Sequence, residues 1–180
     1  MKKLSMEELN RITVQEFKEK QKMPVCLVLD DIRSMANVGA IFRTGDGFRI
    51  ERIYLCGITA RPPHREIEKT ALGATDSVEW HYFQQAADAV RELKDQGYRI
   101  LALEQAEGSI SLNHFTPEAG TPYALIVGNE VFGVQDTLLQ MADAVLEIPQ
   151  FGTKHSFNVS VSAAIFLWDY FTKSMGKALD

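Results

Sequence analysis

Residues 123–135 read Tyr123-Ala124-Leu125-Ile126-Val127-Gly128-Asn129-Glu130-Val131-Phe132-Gly133-Val134-Gln135. Five apolar residues in succession are the pattern of a strand buried on both faces, as in a parallel sheet. The run stops at a glycine and a polar pair, and a helix is expected from Gln135 to Met141. Pro24-Val25-Cys26-Leu27-Val28-Leu29 is a second such run, followed by a helix from near Asn37 that Gly45 and Gly47 are expected to close. Ala144 to Ile148 is a third, ahead of a final helix from about Asn158 to Ser174. Strand and helix therefore alternate, which predicts an α/β fold with a mostly parallel sheet and helices on both faces.

Further strands are expected at Arg52–Cys56, Val78–Phe83 and Tyr98–Leu103, with a short helix from near Glu66 and a longer one from Gln84 to Gln96, ended by Gly97. Residues 5–21 read as an amphipathic helix with Met6, Leu9, Ile12, Val14 and Phe17 on its apolar side. A chain of 180 residues with 46% hydrophobic and 24% charged content fits one globular domain. Its N-terminus lacks the apolar core of a signal peptide, and no apolar run approaches the roughly 20 residues that span a bilayer. Cys26 and Cys56 both fall inside apolar runs and read as buried thiols of a reducing cytoplasm. Neither has a histidine at ligand spacing, so no metal is expected.

A net charge of −5 argues mildly against a nucleic-acid partner, but the charge is uneven. Residues 1–73 carry 13 Lys and Arg against 10 Asp and Glu, whereas residues 74–180 carry 6 against 14. Arg33, Arg43, Arg49, Arg52, Arg61 and Arg65 lie in one stretch. That stretch is either a phosphate-binding surface or scattered solvated charge.

Three polar clusters sit where apolar strands end, the side of an open α/β sheet that binds ligands. In the first, Asn37 stands where an N-cap is wanted and Gly39 permits close backbone approach. Arg43 lies in an otherwise apolar helix start, where a guanidinium needs either a structural ion pair or a substrate phosphate. In the second, Gly128 lets a flat ligand or another backbone press against the strand end. No Gly-x-Gly-x-x-Gly or phosphate-cradling lysine loop occurs, which weighs against a generic nucleotide-binding domain. In the third, Ser156, Asn158, Ser160 and Ser162 exceed what capping requires. Ser160 and Ser162 fit close helix packing, and Ser156 lacks the Gly-x-Ser-x-Gly elbow of a hydrolase. His64, His81 and His114 read as structural or surface residues, with His155, beside Ser156, the one placed to matter.

Asn37…Arg43, Gly128-x-Glu130-x-x-Gly133 and Ser156-x-Asn158-Val159-Ser160-Val161 occur in order, and Lys69-Thr70-Ala71-Leu72-Gly73-Ala74 lies between the first two. Together they resemble the motifs of SpoU-family RNA 2′-O-ribose methyltransferases, in the SPOUT superfamily, over roughly residues 24–172. Phe157 departs from the leucine more usual there. The resemblance implies a sheet whose C-terminal segment threads a deep trefoil knot, with residues 24–180 as the methyltransferase domain and residues 1–23 as a helical extension.

It further implies S-adenosylmethionine as cofactor, lined by Leu103, Gly128, Ile148 and Phe157. The implied partner is tRNA or rRNA, not DNA or a membrane, and the implied state a cytoplasmic homodimer; the apolar stripe of the last helix suits either part of that interface or packing in the core. Arg43 would contact the RNA phosphate and assist removal of the 2′-hydroxyl proton. Free arginine titrates above about 12, so electrostatic stabilisation is its firmer role. Asn37 and Glu130 would orient it, and Ser156 and Asn158 would position substrate or the neighbouring loop. The competing expectation is a non-catalytic RNA-binding or assembly protein on the same fold.

Overall fold

The computed structural model describes residues 1–5 and 7–174. Met6, expected on the first helix, and residues 175–180, the end of the expected main domain, lie outside the described residues. The chain runs through α1 (Val14–Glu19), β1 (Met23–Asp30), α2 (Met35–Phe48), β2 (Ile50–Cys56), α3 (Arg65–Ala71), α4 (Ala74–Ser77), β3 (Glu79–Phe83) and α5 (Ala86–Asp95). It continues through β4 (Arg99–Leu103), β5 (Ile110–Ser111), a 3-10 turn, β6 (Tyr123–Val127), α6 (Asp136–Met141), β7 (Ala144–Glu147) and α7 (Val159–Ser174). The seven strands form one sheet in the order β3-β2-β1-β6-β4-β7-β5. Every pairing in it is parallel.

The apolar runs form central strands because side chains of both parities are buried. Val25, Leu27 and Leu29 of β1 join Val38, Ile41 and Phe42 of α2 and Ala163, Phe166 and Leu167 of α7 in one core layer. Cys26 and Val28 join Ala89, Val90 and Leu93 of α5 and Leu138 of α6 in the other. Cys26 and Cys56 are free and buried, and burial pushes both thiols up to about 12.

Three local expectations are corrected. The helix expected over residues 5–21 is confined to Val14–Glu19, because Asn10 adopts a left-handed φ of 49° and Thr13 is extended. Thr13 and Glu16 there form a reciprocal capping box, and Phe17 alone of that helix is buried. The N-cap of α2 is Ser34, whose side chain accepts from Asn37 N–H, so Asn37 lies three positions inside the helix. Gly45 and Gly47 do not close α2, which continues to Phe48. Burial of Val38, Ile41 and Phe42 outweighs the roughly 1 kcal/mol each glycine costs.

Helix α3 packs on α2 at Gly39, where a Cβ would overlap Thr70 Oγ1 and the Ile67 carbonyl. Thr70 Oγ1 donates to Ala36 O across the same contact (3.0 Å). Gly39→Ala must push the two helices apart, a cost of about 1–3 kcal/mol, and calorimetry should show Tm lowered by about 3–10 °C. An unchanged Tm would mean that α3 is not held against α2 at this point.

Candidate functional site

Loops leaving the C-terminal ends of β1, β4, β6 and β7 converge on one side of the sheet. The loop after β6 is shaped by Asn129. Its Oδ1 accepts from Val131 N–H (2.9 Å) and Phe132 N–H (3.2 Å), and its Nδ2 donates to Asp31 O (2.7 Å). Its main chain pairs with Gly133 in both directions. A Cβ on Gly128 would overlap the Gly133 and Val134 backbone, so the partner pressed against this glycine is the loop's own main chain. Gly133 takes a φ of +68° and sits against Glu104, whose Oε2 accepts from Val134 N–H (2.9 Å).

That turn aims Glu130 back at the start of α2. Its Oε2 accepts from Arg33 N–H (2.9 Å), and its Oε1 from Ser34 N–H (3.0 Å) and Asn37 Nδ2 (2.9 Å). Asn37 Oδ1 in turn accepts from Asn158 Nδ2 (3.0 Å). Asn158 Oδ1 accepts from Ser160 N–H (2.9 Å), capping the first turn of α7. One chain of side-chain bonds therefore joins the loops after β1, β6 and β7. Burial alone would push the Glu130 carboxyl up, but the donors of Arg33, Asn37 and Ser34 outweigh it and hold the group below its usual range.

Beside this chain lies a cavity of about 770 Å³. Leu103, Gly128, Glu130, Ile148, Ser156, Phe157 and Asn158 all line it. Its size falls within the range of small-molecule sites, about 300–1,000 Å³. Leu103, Ile148 and Phe157 supply apolar wall, and the tight turn supplies backbone polar groups. Ser156 makes no hydrogen bond among the described residues. Phe132 and Phe151 stand 86% and 97% exposed on the two loops that frame the cavity. Among the described residues, no three His, Cys, Asp or Glu gather as a metal site.

Arg43 departs from expectation. It is exposed on α2, does not line the cavity, and its side chain has no ion pair or hydrogen bond among the described residues. Six residues of helix separate it from Asn37 by about 120° around the axis. Asn37 and Glu130 bond each other and do not orient it within the chain. Its solvated position removes the need for a structural partner and leaves the guanidinium free for an anion.

Sequence reading missed Asn129, Glu104 and Gln105, whose Nε2 donates to His155 O (2.5 Å). The Gly-Asn pair at the strand end was the available signal for Asn129, since Asn bonds the backbone two residues on. His64 caps α3, its Nδ1 accepting from Glu66 N–H, and His81 pairs with Glu79.

The SpoU rRNA Methylase family model matches residues 24–168. A 23S rRNA (guanosine-2'-O-)-methyltransferase RlmB of Neisseria meningitidis serogroup B is 32% identical over 145 residues, covering 80% of this chain and 56% of that protein. A tRNA (guanosine(18)-2'-O)-methyltransferase of Borreliella burgdorferi is 28% identical, covering 85% and 68%. An AdoMet-bound rRNA methyltransferase structure from Sinorhizobium meliloti superposes with a TM-score of 0.78 at 26% identity, covering 86% of this chain and 59% of that one. The chain spans 56–68% of the length of these curated relatives.

Glu130→Gln replaces an oxygen that accepts N–H groups with an amide nitrogen that repels them. By hydrogen exchange, the Arg33 and Ser34 amides should lose protection while the strands keep theirs. In the wild type the depressed carboxyl means this clasp is present above the usual value of 4.5 and is lost only as pH falls through the lower folded value. Protection in Glu130→Gln equal to wild type would show that the carboxylate does not hold the loops.

Proposed function

The chain belongs to the SpoU rRNA Methylase family, and from that footing we propose that it is an S-adenosylmethionine-dependent methyltransferase acting on a ribose 2′-hydroxyl of tRNA or rRNA. The observation that carries this reading is the bonded chain Glu130–Asn37–Asn158 beside a nucleoside-sized cavity. Residues 24–180 are taken as the methyltransferase domain and residues 1–23 as an extension of it, with the C-terminal segment knotted and the cytoplasm as its compartment.

The cavity fits the cofactor. Leu103, Ile148 and Phe157 would enclose an adenine face, and the backbone around Gly128 would meet its polar edge. S-adenosylmethionine, when bound, supplies an electrophilic methyl on sulfonium sulfur. The remaining tasks fall to the chain. Glu130 is held by three N–H donors and kept ionised, so it is a poor proton acceptor and serves as the clasp of the loops. Arg43 would bind the phosphate beside the target ribose and offset negative charge growing on the 2′-oxygen as its proton leaves to solvent. Ser156, unbonded at the cavity wall, and Asn158 would position the incoming nucleotide. The reaction needs a 2′-hydroxyl, which DNA lacks.

Arg43 stands away from its own chain's cavity, and a second copy would bring it to a site. Support for a homodimer comes from a groove on α2 and α7 lined by Ala40, Val161, Ala164, Ile165 and Trp168. Val161 and Trp168 in it are 46% and 58% exposed, apolar area that a partner copy would cover.

Labelled methyl transfer to size-fractionated total RNA, followed by nucleotide analysis, should give 2′-O-methyl product. Arg43→Ala should lower kcat by about 100-fold or more with cofactor affinity within about twofold of wild type. No transfer to any RNA fraction despite cofactor binding would favour a non-catalytic RNA-binding role, and parallel loss of cofactor binding in the variant would contradict the role given to Arg43.

A further inference from the structure

Three of the nine arginines are ion-paired among the described residues, and all three lie away from the C-terminal end of β1 and β2. Arg52 pairs with Glu51 early in β2, Arg91 with Asp88 on α5, and Arg99 with Glu118 at the start of β4. Arg33 follows the end of β1, and Arg61 and Arg65 follow the end of β2; all three are exposed and none has such a pair. The acidic groups nearby are otherwise engaged. Glu66 pairs with Lys69, Glu68 accepts from Thr75 and Glu130 accepts from Arg33 N–H. Asp31 Oδ1 accepts from Ile58 N–H (2.9 Å), and its Oδ2 lies 3.5 Å from Gln135 Nε2.

The two loops bearing these arginines are locked together. Ile32 N–H donates to Thr59 Oγ1 (2.9 Å), and Thr59 Oγ1 donates to Leu29 O (3.1 Å), with Thr59 buried. Arg33 and Arg61 therefore extend from neighbouring anchored positions. The Arg61 guanidinium lies 4.3 Å over the Tyr82 ring, and Tyr82 OH donates to Gly57 O (3.1 Å). This cation–π contact tethers the guanidinium and leaves its N–H groups without a hydrogen-bond partner among the described residues, free to receive a phosphate. Arg65 opens α3, which is fastened to α2 through Thr70. On an acidic protein, three unpaired arginines on braced loops next to the Glu130 clasp are a localised exception to the net charge.

We infer that Arg33, Arg61 and Arg65 form a phosphodiester-binding edge along which the RNA strand flanking the target ribose lies. This rests on the methyltransferase reading above and adds to it the path of the substrate. Such contacts carry no base specificity; they set register and make binding salt-dependent.

The test uses the full chain, with R61Q/R65Q compared against R91Q/R99Q, a charge-matched control at paired and remote arginines. Binding of unfractionated fluorescent tRNA is followed by anisotropy from 0.05 to 0.3 M salt, beside cofactor titration and methyl transfer. Each lost phosphate contact lowers the slope of log K against log salt by about 0.7–0.9, so R61Q/R65Q should lose about 1.4–1.8 and bind roughly 25- to 60-fold more weakly at 0.1 M. Its cofactor affinity and kcat at saturating RNA should stay at wild type, with the loss appearing in KM, and its Tm should move by no more than about 2 °C. R91Q/R99Q should keep wild-type slope and affinity.

Equal slopes and affinities for the two double variants would overturn the edge, as would a wild type that does not bind RNA. If the wild type methylates RNA while R61Q/R65Q binds normally, the edge fails and the methyltransferase reading stands. If R61Q/R65Q loses binding although the wild type transfers no methyl group, the reading fails and the edge stands.

Discussion

Everything distinctive in this molecule depends on one carboxylate that reaches from the loop after β6 to the start of α2. Glu130 takes two backbone N–H groups and the Asn37 amide, and Asn37 passes the connection on to Asn158. A charge-assisted bond to backbone N–H is stronger than a neutral one, and here three share one acceptor. The sheet supplies parallel strands that all end on the same side. The clasp ties the loops after β6 and β7, which line the cavity together with the loop after β4, to the start of α2.

This arrangement separates the work of holding from the work of reacting. Glu130 and Asn37 spend their hydrogen-bonding capacity on other parts of the chain, and Asn129 and Glu104 do the same for the tight turn after β6. The side chains of Ser156 and Arg43, by contrast, have no hydrogen bond or ion pair among the described residues. In a site built by preorganisation, groups that meet substrate keep their donors free, and groups that position them do not. The same division suits the proposed RNA edge on a protein of net charge −5: Asp31, Glu66, Glu68 and Glu130 are engaged by donors, while Arg33, Arg61 and Arg65 have no ion pair among the described residues.

Much of the architecture was legible because burial writes itself into sequence. Val25–Leu29 and Tyr123–Val127 read as two-faced strands and lie side by side at the middle of the sheet. The convergence of the three polar clusters was legible too, since all lie at strand ends. Strand order was not, because an apolar run does not name its neighbour. The two-residue β5 and four-residue α4 are too short to show a period. Asn37 illustrates a different limit. A polar residue at a helix start reads the same whether it caps or clasps, and Ser34, three residues earlier, does the capping. The N-terminal period misled because Leu9, Ile12 and Val14, which suggested a buried stripe, are 36%, 39% and 44% exposed. Arg43 misled because its flanking Ile41 and Phe42 are buried while its own direction faces solvent.

The most direct test of the central claim is calorimetric titration of S-adenosylmethionine into the wild type and Asn37→Ala. Asn37 does not line the cavity; it touches the cavity's loops only through Glu130 and Asn158. If the clasp shapes the cavity, removing this link should weaken cofactor binding by about tenfold, the equivalent of one hydrogen bond of about 1.4 kcal/mol, with the fold intact. Cofactor affinity unchanged in Asn37→Ala would contradict the account, because the loops would then hold their shape without the bond said to join them.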